Sequence, residues 1–183
     1  YGRDGTLYFT DPPFGLPKLG ADPRRELDFS GVFMVKDGAV KLAARDFSGP
    51  NGLAFSPDEK WLYVGNWHDH RKVVSKYPVK ADGSLGSVVL FVDLTPAPGE
   101  VAIDGIKVDK LGDVYVSGPG GLWIFDAEGK KLGILRAPEH AHNLAWGGDD
   151  RQTLYLTAET SVYRLPLKVA GAGAWDGWRT AQR

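Results

Sequence analysis

The sequence predicts an all-β fold of the β-propeller kind, with about four blades in this chain and the first and last of them incomplete. Three observations carry that prediction. Four segments repeat one pattern: "GRDGTLYFTD" from Gly2, "NGLAFSPDEKWLYVGN" from Asn51, "DGIKVDKLGDVYVSG" from Asp104 and "HNLAWGGDDRQTLYLTA" from His142. Their aromatic-centred strands place Tyr8, Tyr63, Tyr115 and Tyr155 at separations of 55, 52 and 40 residues, the period of a four-stranded blade. No stretch shows a helical period; apolar residues alternate or run in short blocks, as strands require.

Each repeat can be read strand by strand. The aromatic strand is followed by a third strand, "GVFMVK", "VVSKYPV", "GLWIFD" or "SVYRLPL". In the first three repeats a tight turn comes next, "KDGAV", "KADGSLG" or "DAEGKK", whose Asp-Gly and Glu-Gly pairs are hairpin chemistry. A fourth strand closes those units, "VKLAARDF", "SVVLFVDL" and "KLGILRAP". Blade boundaries are expected near 1–48, 49–95, 96–138 and 139–168. The first blade lacks its innermost strand and the last lacks its outermost. Residues 169–183 read as a C-terminal tail, because "GAGAWDG" lacks the strand–helix setting of a nucleotide loop. An open stack of this kind leaves two sheet faces uncovered, so the expectation is the later part of a longer propeller.

Composition excludes several functions. The 183 residues carry a formal net charge of −1, which gives no electrostatic footprint for nucleic acid or an anionic membrane. No apolar run is long enough for a membrane-spanning helix. The absence of cysteine rules out disulfides, thiolate catalysis and Cys-ligated metals, and leaves the compartment open between cytoplasm and periplasm or secretion. Oligomeric state is likewise open.

Strand direction sorts the loops into two ends. Turns such as "SPDEK", "DKLGD" and "GGDDRQ" fall at one end and are bland. The other end collects "SGPN", "GEVAID", "APEHAHN", "GNWHDHRK" and the long segment from Asp11 to Gly31, with all four histidines. Function concentrates on loops held by a rigid scaffold. Asn51, Asp104 and Asn143 occupy equivalent or near-equivalent places at the start of innermost strands, which line the central channel. A carboxylate with amide oxygens is a hard-oxygen set suited to Ca²⁺ or Mg²⁺. The alternative is that Asn and Asp only shape the turn before each strand. Asp11, Phe14, Trp67, His142 and Asn143 are candidate substrate contacts at the rim. His68-Asp69-His70 lacks a third ligand and reads as a solvated loop. No G-x-S-x-G occurs, and nothing indicates a serine triad.

"PNGLAFSPDEKWLYV", "IDGIKVDKLGDVYVS" and "YFTDPPFGL" together resemble the gluconolactonase / senescence-marker-protein (regucalcin) family, over Gly2 to about Leu167. The resemblance implies a six-bladed propeller with one divalent cation in its channel, Ca²⁺ first and Mg²⁺, Mn²⁺ or Zn²⁺ as alternatives, and hydrolysis of sugar lactones. It carries two metal ligands over to Asn51 and Asp104, and makes Asp104 a catalytic residue as well. The family's remaining ligands and its Arg and Asn substrate contacts would precede Tyr1. The implied chemistry is metal-assisted ester hydrolysis, an aldonolactone opened to an aldonic acid, with the cation polarising the lactone carbonyl. Two other readings stay open: a phosphotriesterase or aryl-lactonase on the same scaffold, and a non-catalytic calcium-binding propeller. Residues 1–183 alone are expected to be inactive.

Overall fold

A computed structural model describes residues 1–68, 70–99 and 103–173. Among them the chain is almost wholly β. The strands, in order, are β1 (Leu7–Asp11), β2 (Gly31–Lys36), β3 (Ala39–Ala44), β4 (Pro50–Phe55), β5 (Trp61–Asn66), β6 (Val73–Pro78) and β7 (Val89–Asp93). They continue as β8 (Ile106–Val108), β9 (Val114–Gly118), β10 (Gly121–Phe125), β11 (Lys131–Leu135), β12 (Ala141–Gly147), β13 (Thr153–Ala158) and β14 (Val162–Pro166). They form four antiparallel sheets, each of sequential neighbours: β1-β2-β3, β4-β5-β6-β7, β8-β9-β10-β11 and β12-β13-β14.

The sheets stack face to face through three apolar layers. Tyr8, Val32 and Met34 of the first sheet meet Leu62, Val64 and Tyr77 of the second. Tyr63, Val74 and Val92 of the second meet Ile106, Val114 and Val116 of the third. Tyr115 and Leu122 of the third meet Leu144, Leu154 and Leu156 of the fourth. This layering explains the sequence pattern. The β9 strand, "VYVSG", is buried at every position because a sheet covers each of its faces. In β13, "TLYLTA", buried Leu154 and Leu156 alternate with exposed Tyr155 and Thr157, because only one face is covered.

The bland turns are held by their own aspartates. Asp58 Oδ1 accepts the Lys60 N–H at 3.1 Å, Asp109 Oδ1 the Leu111 N–H at 2.9 Å and Asp150 Oδ1 the Gln152 N–H at 2.9 Å, the Asx geometry expected of such residues. At this end the described part of the predicted tail is not loose. The Lys110 N–H donates to Ala170 C=O at 2.9 Å, Gly171 N–H to Arg151 C=O at 3.1 Å and Ala172 N–H to Val108 C=O at 2.9 Å. The chain after β14 thereby straps the fourth sheet to the third. The remainder of "GAGAWDG" lies outside the described residues, as do Asp69 and residues 100–102 of the "GEVAID" segment.

Candidate metal and active site

The strands β4, β8 and β12 are innermost in their sheets, and all three share one irregularity at their start. On β4, Pro50 pairs with Asn66 and Leu53 with Val64, so Asn51 and Gly52 together oppose one residue of β5. On β12, Ala141 pairs with Ala158 and Leu144 with Leu156, leaving the same surplus. Just before β8 the Asp104 N–H donates to Ser117 C=O at 3.0 Å, and the Ser117 N–H donates to Gly105 C=O at 2.9 Å. Two residues again oppose one. Such β-bulges re-aim a side chain. Register with the neighbouring strand then aligns Asn51, Asp104 and His142 as one row, and Gly52, Gly105 and Asn143 as the next. Asn143, expected from sequence at an equivalent or near-equivalent place, thus stands one residue beyond the row of Asn51 and Asp104. His142 holds the place in that row.

The glycine after Asn51 has a packing cause rather than a turn cause. The Gly52 N–H donates to Asp104 C=O at 3.1 Å. A Cβ on Gly52 would collide with that same carbonyl and stand 2.7 Å from Ile106 N. The Gly105 N–H donates to His142 C=O at 2.8 Å, and a Cβ there would collide with the Asn143 amide, 2.8 Å from its Cα. Each inner strand thus lies against the backbone of the next, with no space for a side chain between them.

The side chains of the row are held from this seam. Asn51 Nδ2 donates to Ile103 C=O at 3.2 Å. A carbonyl acceptor fixes which end of the amide faces it, so Oδ1 is the end left to meet a cation. Asp104 Oδ2 lies 3.2 Å from His142 Nδ1, both side chains partly exposed. The His140 ring packs edge-on to His142, with centroids 5.0 Å apart at 85°. Burial, and next the neighbouring His142, push the His140 imidazole below its ordinary pKa. Asn143 turns its Oδ1 back to accept the Leu144 N–H at 2.8 Å.

The rim residues separate into groups. Phe14 meets Trp67 edge-on with ring centroids 5.0 Å apart. The Phe14 ring stands over Gly49, whose added Cβ would lie 2.9 Å from Phe14 Cζ, and the Trp67 backbone N–H donates to Gly49 C=O at 2.7 Å. Asp11 is exposed at the end of β1 and joins neither this pair nor Asp104 by a hydrogen bond among the described residues. His68 and His70 are exposed, and the His70 N–H donates to His68 Nδ1 at 3.3 Å, the local loop geometry expected for them.

Two supporting residues escaped the sequence reading. Asn66 is fully buried; its Oδ1 accepts the Gly49 N–H at 3.1 Å and its Nδ2 donates to Arg71 C=O at 2.7 Å. It ties the loop leading into β4 to the loop leaving β5. Ser117, also fully buried, donates its hydroxyl to Ala141 C=O, which fixes β12 beside the Asp104 bulge. Their signal was a polar residue near the end of an aromatic strand, where a solvated end is the commoner reading.

The donor set fits a hard divalent cation in part. An amide oxygen at Asn51 and a carboxylate at Asp104 are two of the roughly six to eight oxygens that Ca²⁺ takes. Among the described residues no three His, Asp or Glu side chains converge as a metal cluster.

Residues 1–160 match the family described as the SMP-30/Gluconolactonase/LRE-like region. A gluconolactonase of Zymomonas mobilis is 33% identical over 177 residues, covering 93% of this chain and 50% of that protein. The solved structure of a Xanthomonas campestris gluconolactonase superposes with a TM-score of 0.78 at 34% identity, over 91% of this chain and 55% of that one. A calcium-binding regucalcin of Agrobacterium tumefaciens shares the fold, with a TM-score of 0.72 at 18% identity over 94% of this chain and 60% of that one. The chain spans about half the length of the curated gluconolactonase it matches. With its stacked three- and four-stranded antiparallel sheets, bulged inner strands and matched sequence, the chain belongs to the SMP-30/gluconolactonase/LRE-like family.

Proposed function

We propose that the protein is a carboxylic-ester hydrolase that opens a sugar lactone with the help of one divalent cation, Ca²⁺ first among the candidates. The observation that carries this reading is the placement of Asn51 and Asp104 on matching bulges of adjacent inner strands, in a chain of this family. A bound cation supplies Lewis acidity that draws electron density from the lactone carbonyl and stabilises the developing oxyanion. Asp104 is the anionic member of its row and anchors the cation's charge. Asn51 offers a neutral oxygen, so the site leaves much of that charge uncompensated and available to the substrate. Phe14 and Trp67, edge-on to each other, are offered as an apolar wall at the rim, and Asp11 as a polar contact for sugar hydroxyls; Asn143, whose Oδ1 accepts the Leu144 N–H, has its amide N–H left for that role.

Asp104→Asn is the direct test. It keeps the side chain's shape and its capacity to accept from His142, and it removes the charge. In the full-length protein, hydrolysis of glucono-δ-lactone should fall by about two orders of magnitude or more, on the scale of losing one main electrostatic contributor, with the circular dichroism spectrum unchanged. Near-normal turnover at saturating cation would refute the assignment. A panel of aldonolactones, apolar-tailed lactones and organophosphates, each run with and without chelator, separates the sugar-lactonase reading from its neighbours on this scaffold.

A further inference from the structure

We infer that His142 is a positioning residue for Asp104: its Nδ1–H donates to Asp104 Oδ2 and sets the orientation in which the carboxylate meets a cation. The inference rests on the proposed metal role of Asp104, but its central contact stands independently on geometry. The two atoms are 3.2 Å apart. A carboxylate has no proton to give at neutral pH, so the imidazole nitrogen must be the donor. A proton is accordingly placed on Nδ1, the ring nitrogen that faces the carboxylate.

Three features make the contact a built one. His142 stands at the bulge position equivalent to Asp104, so the same local backbone distortion brings the two side chains together. The backbones are fastened directly, because the Gly105 N–H donates to His142 C=O at 2.8 Å. Next to it, the Ser117 hydroxyl donates to Ala141 C=O. The imidazole plane is set by His140, packed against it at 85°. One carboxylate oxygen is thus committed to the imidazole and the rotation of the Asp104 carboxylate is fixed, which leaves Oδ1 as the ligating atom. Hydrogen-bond partners that orient metal ligands in this way are worth about 10–100-fold in metal affinity or activity.

The test uses two substitutions with opposite merits. His142→Asn loses the ring but puts an amide N–H where Nδ1 stood. His142→Phe keeps a ring against His140 and has no donor. Calorimetric titration with Ca²⁺ should show about tenfold or greater weakening in His142→Phe and no more than about threefold in His142→Asn. Nitrogen-15 NMR of the imidazoles, which needs neither turnover nor metal, should show a protonated Nδ1 in His142. That signal should shift toward the Nε2–H form in Asp104→Ala. A bare Nδ1 in the wild type, no shift in Asp104→Ala, or better retention of binding in Phe than in Asn overturns the inference. The titrations use the full-length protein; failure of its wild type to bind Ca²⁺ would count against the functional reading, while the NMR arm alone would then decide the role of His142.

Discussion

Adding one methyl group at Gly52 should loosen the joint between the second and third sheets. The new Cβ would collide with Asp104 C=O and stand 2.7 Å from Ile106 N and 3.0 Å from Gly105 C. All three neighbours are backbone atoms, so no side chain can rotate away, and β4 and β8 must separate. Overpacking of this kind costs about 1–3 kcal/mol. The Gly52 N–H bond to Asp104 C=O, 3.1 Å long, would stretch or break, at about 1 kcal/mol more. Gly52→Ala is therefore expected to lower stability by about 2–4 kcal/mol in urea titration, or roughly 5–15 °C in Tm. The matched control is Gly133→Ala in β11, where an added Cβ meets nothing within 4 Å; it should be neutral or stabilising by about 0.5 kcal/mol. A loss below about 0.5 kcal/mol at Gly52, or an equal loss at Gly133, would refute the claim that the glycine exists for close backbone approach. Because Asp104 itself is displaced, Gly52→Ala should also weaken Ca²⁺ binding, which calorimetry reads separately.

Asn51→Ala should raise the Ca²⁺ concentration needed for half-maximal lactone hydrolysis more than it lowers the rate at saturating Ca²⁺, since a neutral ligand is lost and no charge. An unchanged Ca²⁺ requirement would return Asn51 to a turn-shaping role. Asp4 gives a pH signature away from the channel: the Thr6 N–H, then the Lys36 ammonium, hold its carboxyl down from 3.8 to about 2. A depressed folded-state pKa stabilises above the unfolded value and is lost as pH falls through the folded one. Asp4→Asn should therefore flatten the stability curve between about pH 4 and pH 2, and an unaltered acid limb would show that Asp4 contributes nothing there.

Much of the architecture was legible because its causes are local. The blade rhythm of Tyr8, Tyr63, Tyr115 and Tyr155 reflects one repeated strand, whose tyrosine is packed in the first three sheets and exposed in the fourth, where only one face is covered. The Asp residues of the bland turns announce Asx geometry without tertiary context. The site was legible in residue type and less so in register. "HNLAW" aligns by eye on its asparagine, whereas the bulge on β12 puts His142 in the row and turns Asn143 onto its own backbone. A bulge is a property of paired strands, and one strand's sequence does not display it. The reason for Gly52 is not visible in the sequence on the same ground: the carbonyl that excludes a side chain belongs to Asp104, 52 residues later. Asn66 and Ser117 were hidden because a buried polar side chain looks like a solvated one until its partners are known.

The shared bulge also bears on how this scaffold diversifies. In most folds, exchanging a polar residue at a buried strand mouth disturbs the pairing that carries it. Here much of the chain path at positions 51, 104 and 142 is set by backbone bonds across the seam, Gly52 N–H to Asp104 C=O and Gly105 N–H to His142 C=O, so less of it depends on the preceding side chain. An amide, a carboxylate and an imidazole already stand on the same backbone template within this single chain. The chemistry presented by this row can consequently drift one position at a time, with the stacked sheets' geometry conserved around it. This is a route by which one scaffold could come to serve lactones, other esters or simple ion capture without passing through unfolded intermediates in sequence space.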